Sequence, residues 1–425
     1  MNRGIITNLH KFVLLVHCRN PYLNSAGSEN FILSQIKTFK SKGIESVIIF
    51  PIVIKQLKMR TWGCCVGKEY IGTYNCNNLI IALNGLGESI ECMGVFVHSL
   101  LFMNLYELRD IINFREHICL YLHDFCSCCV QYNLRKNMQA FCGDAMLYDE
   151  KCKDCKFYGD SLVHKKHVEE LLKSISKLSI VAPSMFVKKL WINAFPQYSS
   201  NITVINHKKT IGFYEGNMEE VSEKNSIKLA FVGQGIDTKG YDKWLYASEK
   251  LNSTHPGYYS FFHFGSTSIQ KDYIKNISVS VVKDGPNAMI NALRNHEIDI
   301  AILFSVAPET YSYTYFESLA SNCFVITNSK SGNIALETRN RMNGIVIDDS
   351  AEALYSFLED KYTVLHLLNE FKRKKQYGPE RLEDNDEYLK LLQSEKFNFS
   401  SNTRKKSVDI KSDIINLLYR FRFKV

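Results

Sequence analysis

Two acidic residues and the helix start between them form the part of this sequence best suited to chemistry. Glu309 follows an apolar run that ends near residue 304, and Glu317 lies eight residues further on, within a helix that the pattern predicts to begin at Ser312 or Tyr313. The first amides of such a helix, those of Tyr313 and Thr314, favour a phosphate because they have no partner within the helix and lie at the positive end of its dipole. A carboxylate at Glu317 can accept hydrogen bonds from a ribose diol, as acidic residues do in dinucleotide-binding folds. The segment therefore suggests a nucleotide site.

The same segment also has a purely structural interpretation. The hydroxyl groups of Ser312 and Thr314 are suited to bind a phosphate, but Ser312 is equally suited to cap its own helix. Glu309 and Glu317 are then ordinary negative charge near a helix start. The segment alone leaves both interpretations open.

The elements that would position these residues form two series along the chain. Short apolar runs alternate with longer amphipathic stretches, first from Lys11–His17 to Leu178–Ala182 and then from Lys228–Gly233 to Ile345–Ile347. Such alternation is typical of parallel sheets with helices on both faces. A chain of 425 residues is also long enough for two domains. We therefore predict an α/β protein of two doubly wound, Rossmann-like domains facing each other across a cleft, with ligands outside the carboxyl ends of the strands.

The domain bounds follow from where the two series begin and end. Two short apolar runs, Leu79–Leu83 and Val279–Val282, are counted among the predicted strands. We expect a first domain over residues 1–210 with a cysteine-rich loop at 126–156, a second domain over 223–400, and a basic amphipathic helix within 401–425.

Composition narrows the class of protein. The chain is 45% hydrophobic and 23% charged, which is ordinary for a globular protein and excludes a disordered or fibrous one. It has no apolar run of the ~18–20 residues that a transmembrane helix needs, and no cleavage site follows the apolar stretch at residues 12–17, so we expect a cytoplasmic protein. The net charge of +8 would suit nucleic acid, but no nucleic-acid-binding module is recognisable, and we expect no such partner.

Several segments, taken in order, resemble the retaining GT-B glycosyltransferases of family 4. That family has a Glu-x7-Glu motif in its second domain, and Glu309 and Glu317 have this spacing. The surrounding segment, PETYSYTYFESLASN, resembles the motif as it occurs in one branch of the family. Phe231–Gly240 (FVGQGIDTKG) is similar to the family's donor-diphosphate loop, and Ser25–Gly43 to its first-domain Gly-Gly-x-Glu loop and helix. His123 and Asp124 match the His-Asp pair that the family has after the fourth or fifth strand of its first domain. The resemblance covers roughly residues 10–350.

The resemblance implies an activity and a role for individual residues. It implies transfer of a hexose-type sugar, with retained anomeric configuration and no metal in catalysis, from a nucleotide sugar to a glycan or lipid-linked acceptor of cell-surface polysaccharide synthesis. Lys239 would neutralise the leaving diphosphate, Glu309 would hold sugar hydroxyls, and His123 would lie beneath the sugar. Gly27 would let the backbone approach the diphosphate, which a Cβ would hinder. His98 resembles a histidine on the acceptor side.

The chain departs from the family pattern at one position that bears directly on function. Gln234 stands in the donor-binding loop where the family usually has an arginine, so one of two cations for the diphosphate is missing. The first-domain loop also reads Ala26-Gly27 where the family has two glycines. An alternative function is therefore a non-catalytic GT-B-like partner that recruits or stabilises another glycosyltransferase.

A cluster of cysteines follows His123. The branch noted above has four cysteines here, and Cys129, Cys142, Cys152 and Cys155 are the matching set. Four thiolates suit a closed tetrahedral zinc site, so a structural zinc is predicted, with free thiols or a disulfide as the alternatives.

The C-terminal segment is basic and amphipathic. Residues 404–425 contain seven Lys or Arg against two Asp, a net charge of +5. The apolar residues Ile410, Ile414, Leu417 and Leu418 share one face of a helix, and we expect this stripe to pack on the first domain. The remaining cations and aromatic residues at the tip are expected to give weak, peripheral contact with an anionic membrane.

Overall fold

A computed structural model describes residues 10–24, 26–54, 59–84, 90–143, 150–212, 226–373, 381–393, 395–396 and 409–423. In chain order the strands are β1 Lys11–Val16, β2 Glu45–Ile54, β3 Met59–Val66, β4 Glu69–Tyr74, β5 Glu91–Val97, β6 His117–Tyr121, β7 Arg135–Lys136, β8 Ala140–Phe141, β9 Lys177–Ala182, β10 Ile202–Val204, β11 Lys208–Ile211, β12 Ile227–Val232, β13 Tyr259–Phe264, β14 Ile274–Ile277, β15 Ile300–Leu303, β16 Phe324–Asn328, β17 Gly344–Ile347, β18 Arg381–Asp384 and β19 Glu395–Lys396. The helices are α1 Gly27–Ser41, α2 Cys76–Asn84, α3 Leu105–Ile112, α4 Glu150–Lys153, α5 Tyr158–Lys173, α6 Met185–Ala194, α7 Tyr241–Thr254, α8 Val281–Asp284, α9 Ala288–Asn295, α10 Tyr313–Ala320, α11 Asn333–Arg341, α12 Ala351–Glu359, α13 Lys361–Lys372 and α14 Ile410–Phe423.

These elements group into two compact units. Unit 1 comprises residues 1–132, 146–207 and 385–425, and unit 2 comprises residues 133–145 and 208–384. The chain thus leaves unit 1 twice and returns to it twice. Strands β11 and β18, at the two ends of the longer segment of unit 2, pair antiparallel with each other, and Lys208 lies opposite Asp384.

Unit 1 is built on a nine-stranded sheet. Its order is β10-β9-β6-β5-β1-β2-β3-β4, with β19 pairing antiparallel to the start of β5. The strands from β10 to β2 are parallel, and β3 and β4 form an antiparallel hairpin at the edge. The central strand β1 (KFVLLV) is apolar at every buried position because helices cover both faces of a parallel sheet. The strand order reverses between β1 and β5.

Unit 2 is built on six parallel strands. Their order is β14-β13-β12-β15-β16-β17, the 3-2-1-4-5-6 order of dinucleotide-binding folds. Its core includes Phe231, Trp244 and Ile302, all almost fully buried between the sheet and the helices on one face. The order reverses between β12 and β15, and ligands of such sheets bind outside the carboxyl ends of the strands at that point. The predicted α/β class with two doubly wound units is confirmed.

Two predicted strands are wrong. Leu79–Leu83 lies in helix α2 and not in a strand. Val279–Val282 overlaps helix α8, and the edge strand of unit 2 is β14, Ile274–Ile277. Both errors concern apolar runs of four or five residues, which are too short for their periodicity to distinguish strand from helix.

The predicted extent of the second domain also differs from the structure. Residues 385–396 belong to unit 1, where Tyr388 is buried in the core and β19 extends the sheet. Part of the cysteine-rich segment, residues 133–145, belongs to unit 2 and not to the first domain. Neither segment has a local pattern that reveals its partner, because the packing is set by residues far away in the sequence.

The C-terminal helix α14 lies on the β3–β4 hairpin of unit 1. Ile415 is buried there, and the ring of Tyr419 stacks on that of Tyr70 with centroids 4.7 Å apart. The apolar stripe expected to make this contact is instead exposed, so that prediction is wrong for Ile410, Ile414, Leu417 and Leu418. The helix carries apolar residues on two opposite faces, and periodicity does not tell which of the two is buried. Residues 397–408 and 424–425, including part of the predicted membrane tip, lie outside the described residues.

Candidate active site

In unit 2, the two loops at the strand-order reversal bring Lys239 and Glu309 together. Lys239 ends a short 3-10 turn after β12, and Glu309 lies on the loop after β15. The Lys239 Nζ is 2.5 Å from the Glu309 Oε1, and the Ser305 hydroxyl lies 2.9 Å from the same oxygen. The side chain of Lys239 remains partly exposed and that of Glu309 is largely covered. The pair therefore presents a cation beside a fixed carboxylate at the position where sheets of this order commonly bind ligands.

Close backbone contacts hold these two loops. The Val306 amide donates to the Thr238 carbonyl at 3.1 Å. Gly240 has φ +73°, and a Cβ there would lie 2.1 Å from the Phe304 carbonyl oxygen. Gly332 has φ +67°, and a Cβ there would lie 2.7 Å from the amide nitrogen of Glu309. Only glycine fits at these two contacts, which fix the positions of Lys239 and Glu309.

Helix α10 begins beside this pair. The Ser312 hydroxyl accepts a hydrogen bond from the Tyr315 amide at 3.2 Å, which makes Ser312 the N-cap of the helix. Its hydroxyl lies 3.0 Å from that of Thr314. The capping interpretation thus describes Ser312, while the amides of Tyr313 and Thr314 are in the first turn, as the sequence predicts.

Glu317 is buried in the second turn of α10. Burial raises its pKa to about 7, and the positive charge of Lys208 offsets part of that rise. Lys208 is fixed nearby: its amide donates to the Tyr311 hydroxyl at 3.2 Å, and its Nζ pairs with Asp384 at 2.5 Å. Glu317 is therefore a carboxyl group whose charge changes in the neutral pH range.

An arginine that the sequence analysis missed contacts the same loop. Arg135, from the hairpin β7–β8, bonds to Asp237 at 3.1 Å, two residues before Lys239. Its Nε also donates to the Gln139 carbonyl at 2.8 Å. Gln234 is exposed and brings no charge. No local signal in the sequence links Arg135 to the loop, since about a hundred residues separate them.

In unit 1, His98 and His123 form a hydrogen-bonded pair. They follow the neighbouring strands β5 and β6, and the His98 Nδ1 lies 2.9 Å from the His123 Nε2. The ring of His98 also stacks on Tyr121 with centroids 4.6 Å apart. Burial lowers the pKa of His98 well below its usual range and that of His123 to about 3, with the charge of His17 adding to both effects. Both rings are therefore neutral at physiological pH.

The burial of His98 bears on its expected place on the acceptor side. Its side chain is completely buried, with no exposed surface. Its described hydrogen bond is with His123, and the acceptor-side role stays a prediction.

A charged group lies at the start of α1. Glu29 accepts from the His17 ring at 3.3 Å and from Arg19 at 3.2 Å, and both His17 and Glu29 are buried. Burial opposes both charges, but the hydrogen bonds outweigh it: the pKa of His17 is raised by Cys18 and Glu29, and the pKa of Glu29 is lowered by His17. Gly27, the first residue of α1, is exposed two residues before Glu29, so this group fixes the helix start that carries Gly27.

The four predicted zinc ligands belong to both units of the structure. Cys152 and Cys155 share one turn, and the Cys129 thiol lies 3.2 Å from the Ser161 hydroxyl. Cys129 belongs to unit 1 and Cys142 to unit 2. Within the described parts of the chain, no three His, Cys, Asp or Glu side chains are grouped so as to hold a metal ion. The structural zinc stays a prediction, which metal analysis of the purified protein would check.

Comparison with known proteins identifies the fold. No protein-family profile matches the sequence, and no curated protein does. Among solved structures, a glycosyltransferase from Rickettsia africae aligns with 86% of this chain and 92% of its own at 16% identity and a TM-score of 0.53. Sucrose-phosphate synthase from Thermosynechococcus elongatus aligns with 98% of this chain and 100% of its own at 12% identity and a TM-score of 0.53. WaaG, a glycosyltransferase involved in lipopolysaccharide biosynthesis, aligns with 85% and 94% at 13% identity and a TM-score of 0.50.

These structural neighbours are GT-B glycosyltransferases. At such low identities the likeness concerns the fold alone, which for this chain is GT-B with two Rossmann-like units. Among the helices of the described residues, none is both long and apolar enough to span a bilayer.

Proposed function

We propose that this protein is a retaining glycosyltransferase that moves a hexose-type sugar from a nucleotide donor to a glycan acceptor. The observation that carries the proposal is the Lys239–Glu309 pair, held at the strand-order reversal of a GT-B fold by two loops that tolerate only glycine at their contacts. An ordinary surface ion pair needs no such framework.

Binding of the donor would break the ion pair between Lys239 and Glu309. In the structure, Lys239 is bound to Glu309. A diphosphate carries more negative charge than one carboxylate, so it competes for Lys239, which then neutralises the charge that develops on the leaving nucleotide without a metal. Glu309 is thereby released to accept hydrogen bonds from the hydroxyls of the sugar. The first amides of α10 bind phosphate, and Glu317 accepts from the ribose.

Unit 1 would supply a neutral partner for the sugar. His123 is uncharged and its ring orientation is fixed by His98. A neutral imidazole suits hydrogen bonding to a sugar hydroxyl. The acceptor proposed here is a lipid-linked glycan of cell-surface polysaccharide synthesis, as the sequence resemblance implies.

The observation that favours the alternative function, a non-catalytic partner protein, is Gln234 in place of the usual arginine. Loss of a donor-binding cation is expected in a chain released from catalysis. A non-catalytic chain would not require the contacts of Glu309 with Lys239 and Ser305. Their presence therefore favours the enzyme.

Release of nucleoside diphosphate from nucleotide sugars tests the proposal. ADP-, GDP- and UDP-sugars are first screened by thermal shift, since a bound donor stabilises the fold. With the best donor, Lys239→Ala is expected to reduce turnover by about 10³-fold, because an electrostatic contact to the leaving group is lost in a protected site. Lys243→Ala, four residues away and paired only with Asp242 among its described salt bridges, is the control and should retain activity. No turnover by the intact protein with any donor would favour the non-catalytic partner, and normal turnover by Lys239→Ala would contradict the assigned role.

A further inference from the structure

The outward face of helix α14 is strongly apolar. Ile410, Leu417 and Phe421 are 67%, 72% and 87% exposed, and Ile414 and Leu418 are about half exposed. These five residues, called the outer stripe below, are spaced by four, three, one and three positions and so share one side of the helix. Contiguous apolar surface of this kind is rare on a soluble protein unless it contacts a partner or a membrane.

The opposite face explains why the outer stripe is fixed outward. Ile415 and Tyr419 pack on unit 1, and the Ser412 hydroxyl lies 2.9 Å from that of Thr61. The Arg420 guanidinium donates to the carbonyls of Tyr70 and Ile71 at 3.2 and 3.3 Å. Turning the outer stripe inward would break all of these contacts. Exposure of the stripe is thus a consequence of how the helix is anchored and does not result from fraying.

Charge on the helix indicates what covers the stripe. Lys411 and Arg422 are exposed and flank it on one side, and Arg420 and Asp413 on the other, a net charge of +2. In the sequence, Arg404, Lys405 and Lys406 come shortly before the helix. Apolar residues including Phe and Leu between flanking cations are the pattern of a helix that lies in the interface of an anionic membrane. A symmetric pairing of two such helices would bring like charges together, which disfavours a second copy of this chain.

We propose that α14 is a membrane-contact helix, which lies flat on an anionic lipid surface with its outer stripe among the acyl chains and its cations at the headgroups. The helix is about 21 Å long at 1.5 Å per residue, and its opposite face remains bound to unit 1. This differs from contact by the tip of the chain alone, because the apolar residues that enter the membrane lie along the whole helix. The proposal adds a lipid partner to the proposed function but does not depend on catalysis.

Vesicle flotation of the full-length protein tests the proposal. The vesicles contain phosphatidylcholine alone or with about 30% phosphatidylglycerol, at low salt and at about 0.5 M salt. We expect the intact protein to float with anionic vesicles at low salt and much less with neutral ones. The double variant Leu417→Gln/Phe421→Gln should lose at least about tenfold in partitioning, since it removes two inserted side chains but keeps the helix propensity.

Two controls make the result specific. Tyr362→Gln removes an aromatic residue that is 83% exposed on α13 of unit 2 and should leave flotation unchanged. Lys411→Gln/Arg422→Gln should weaken binding to anionic vesicles only, which separates the electrostatic part from the apolar part. Unfolding temperatures show whether each variant keeps its fold, because the altered side chains all lie on exposed positions.

Three outcomes would overturn the proposal. They are absence of flotation by the intact protein, equal flotation by the intact protein and Leu417→Gln/Phe421→Gln, and a dimer in solution that the same double variant dissociates. The last would assign the stripe to a second copy of this chain. None of these results depends on nucleotide binding or turnover, so failure here is distinguishable from failure of the proposed function.

Discussion

Unit 2 presents its candidate residues as charges on loops, whereas unit 1 presents its pair of histidines as uncharged rings on strand ends. In unit 2, Lys239 and Glu309 come from different loops and are held by glycine contacts and an ion pair. In unit 1, His98 and His123 follow adjacent strands and are held by stacking and one hydrogen bond. The same doubly wound arrangement thus presents fixed charges in one unit and neutral rings in the other, which shows that the loops and strand ends, and not the sheet, determine the charge at the candidate site.

The largest effect is expected from breaking the loop framework of unit 2. Gly240→Ala places a Cβ against the Phe304 carbonyl and should lower the free energy of unfolding by about 3 kcal/mol or more, because two stretches of backbone must separate. Gly257→Ala is a matched control, since Gly257 also has a positive φ, +80°, but nothing lies within 4 Å of its added Cβ. It should cost only about 1 kcal/mol. Denaturant unfolding of both variants measures the difference, and equal losses would show that the contact does not hold the loops.

A smaller effect is expected on the pH dependence of nucleotide binding, through the charge of Glu317. Because the pKa of Glu317 is about 7, the ionised form that accepts from a ribose increases about tenfold between about pH 6 and about pH 8. Nucleoside diphosphate affinity, measured by calorimetry, should rise with pH over this range. Glu317→Gln should bind more weakly at high pH and show little pH dependence. The buried histidine pair of unit 1 does not titrate here, since both pKa values lie lower.

The same carboxyl group affects stability with the opposite sign. The folded state keeps the Glu317 proton up to about pH 7, while the unfolded chain releases it near pH 4.5. The free energy of unfolding should therefore fall as pH rises between these values, by up to about 3 kcal/mol from this group. Glu317→Gln should remove that part of the slope, and an unchanged slope would contradict the raised pKa.

The smallest effect concerns unit 1. His98→Phe keeps a ring against Tyr121 but removes the hydrogen bond to His123, so transfer should fall about fivefold, the equivalent of one hydrogen bond of about 1 kcal/mol. Nucleoside diphosphate affinity should not change. His117→Phe, at the other end of the strand that leads to His123, is the control. Altered diphosphate affinity in His98→Phe would contradict the role proposed for the two histidines.

The sequence predicts the framework better than it predicts the contacts. Alternation of apolar runs and helices predicted the central parallel strands of both sheets but not the antiparallel hairpin β3–β4. The family resemblance indicated Lys239 and Glu309, which the fold brings within hydrogen-bond distance. Arg135 could not be found, because only tertiary packing brings it to Asp237. Likewise, helical periodicity predicted helix α14 but not which of its two apolar faces is buried. That depends on packing against distant residues such as Tyr70.

The paired strands β11 and β18 make unit 2 resemble an inserted module. Residues 208–384 enter and leave at adjacent positions, where Lys208 and Asp384 lie opposite each other and form a salt bridge. A segment with neighbouring ends can be exchanged or permuted with little disturbance to its host, as domain insertions show. The described part of unit 2 outside that segment is residues 133–143, which include the hairpin β7–β8 and Arg135. A module from another protein grafted in place of residues 208–384 would therefore need an equivalent of Asp237 to pair with Arg135, or a loop that does without this contact.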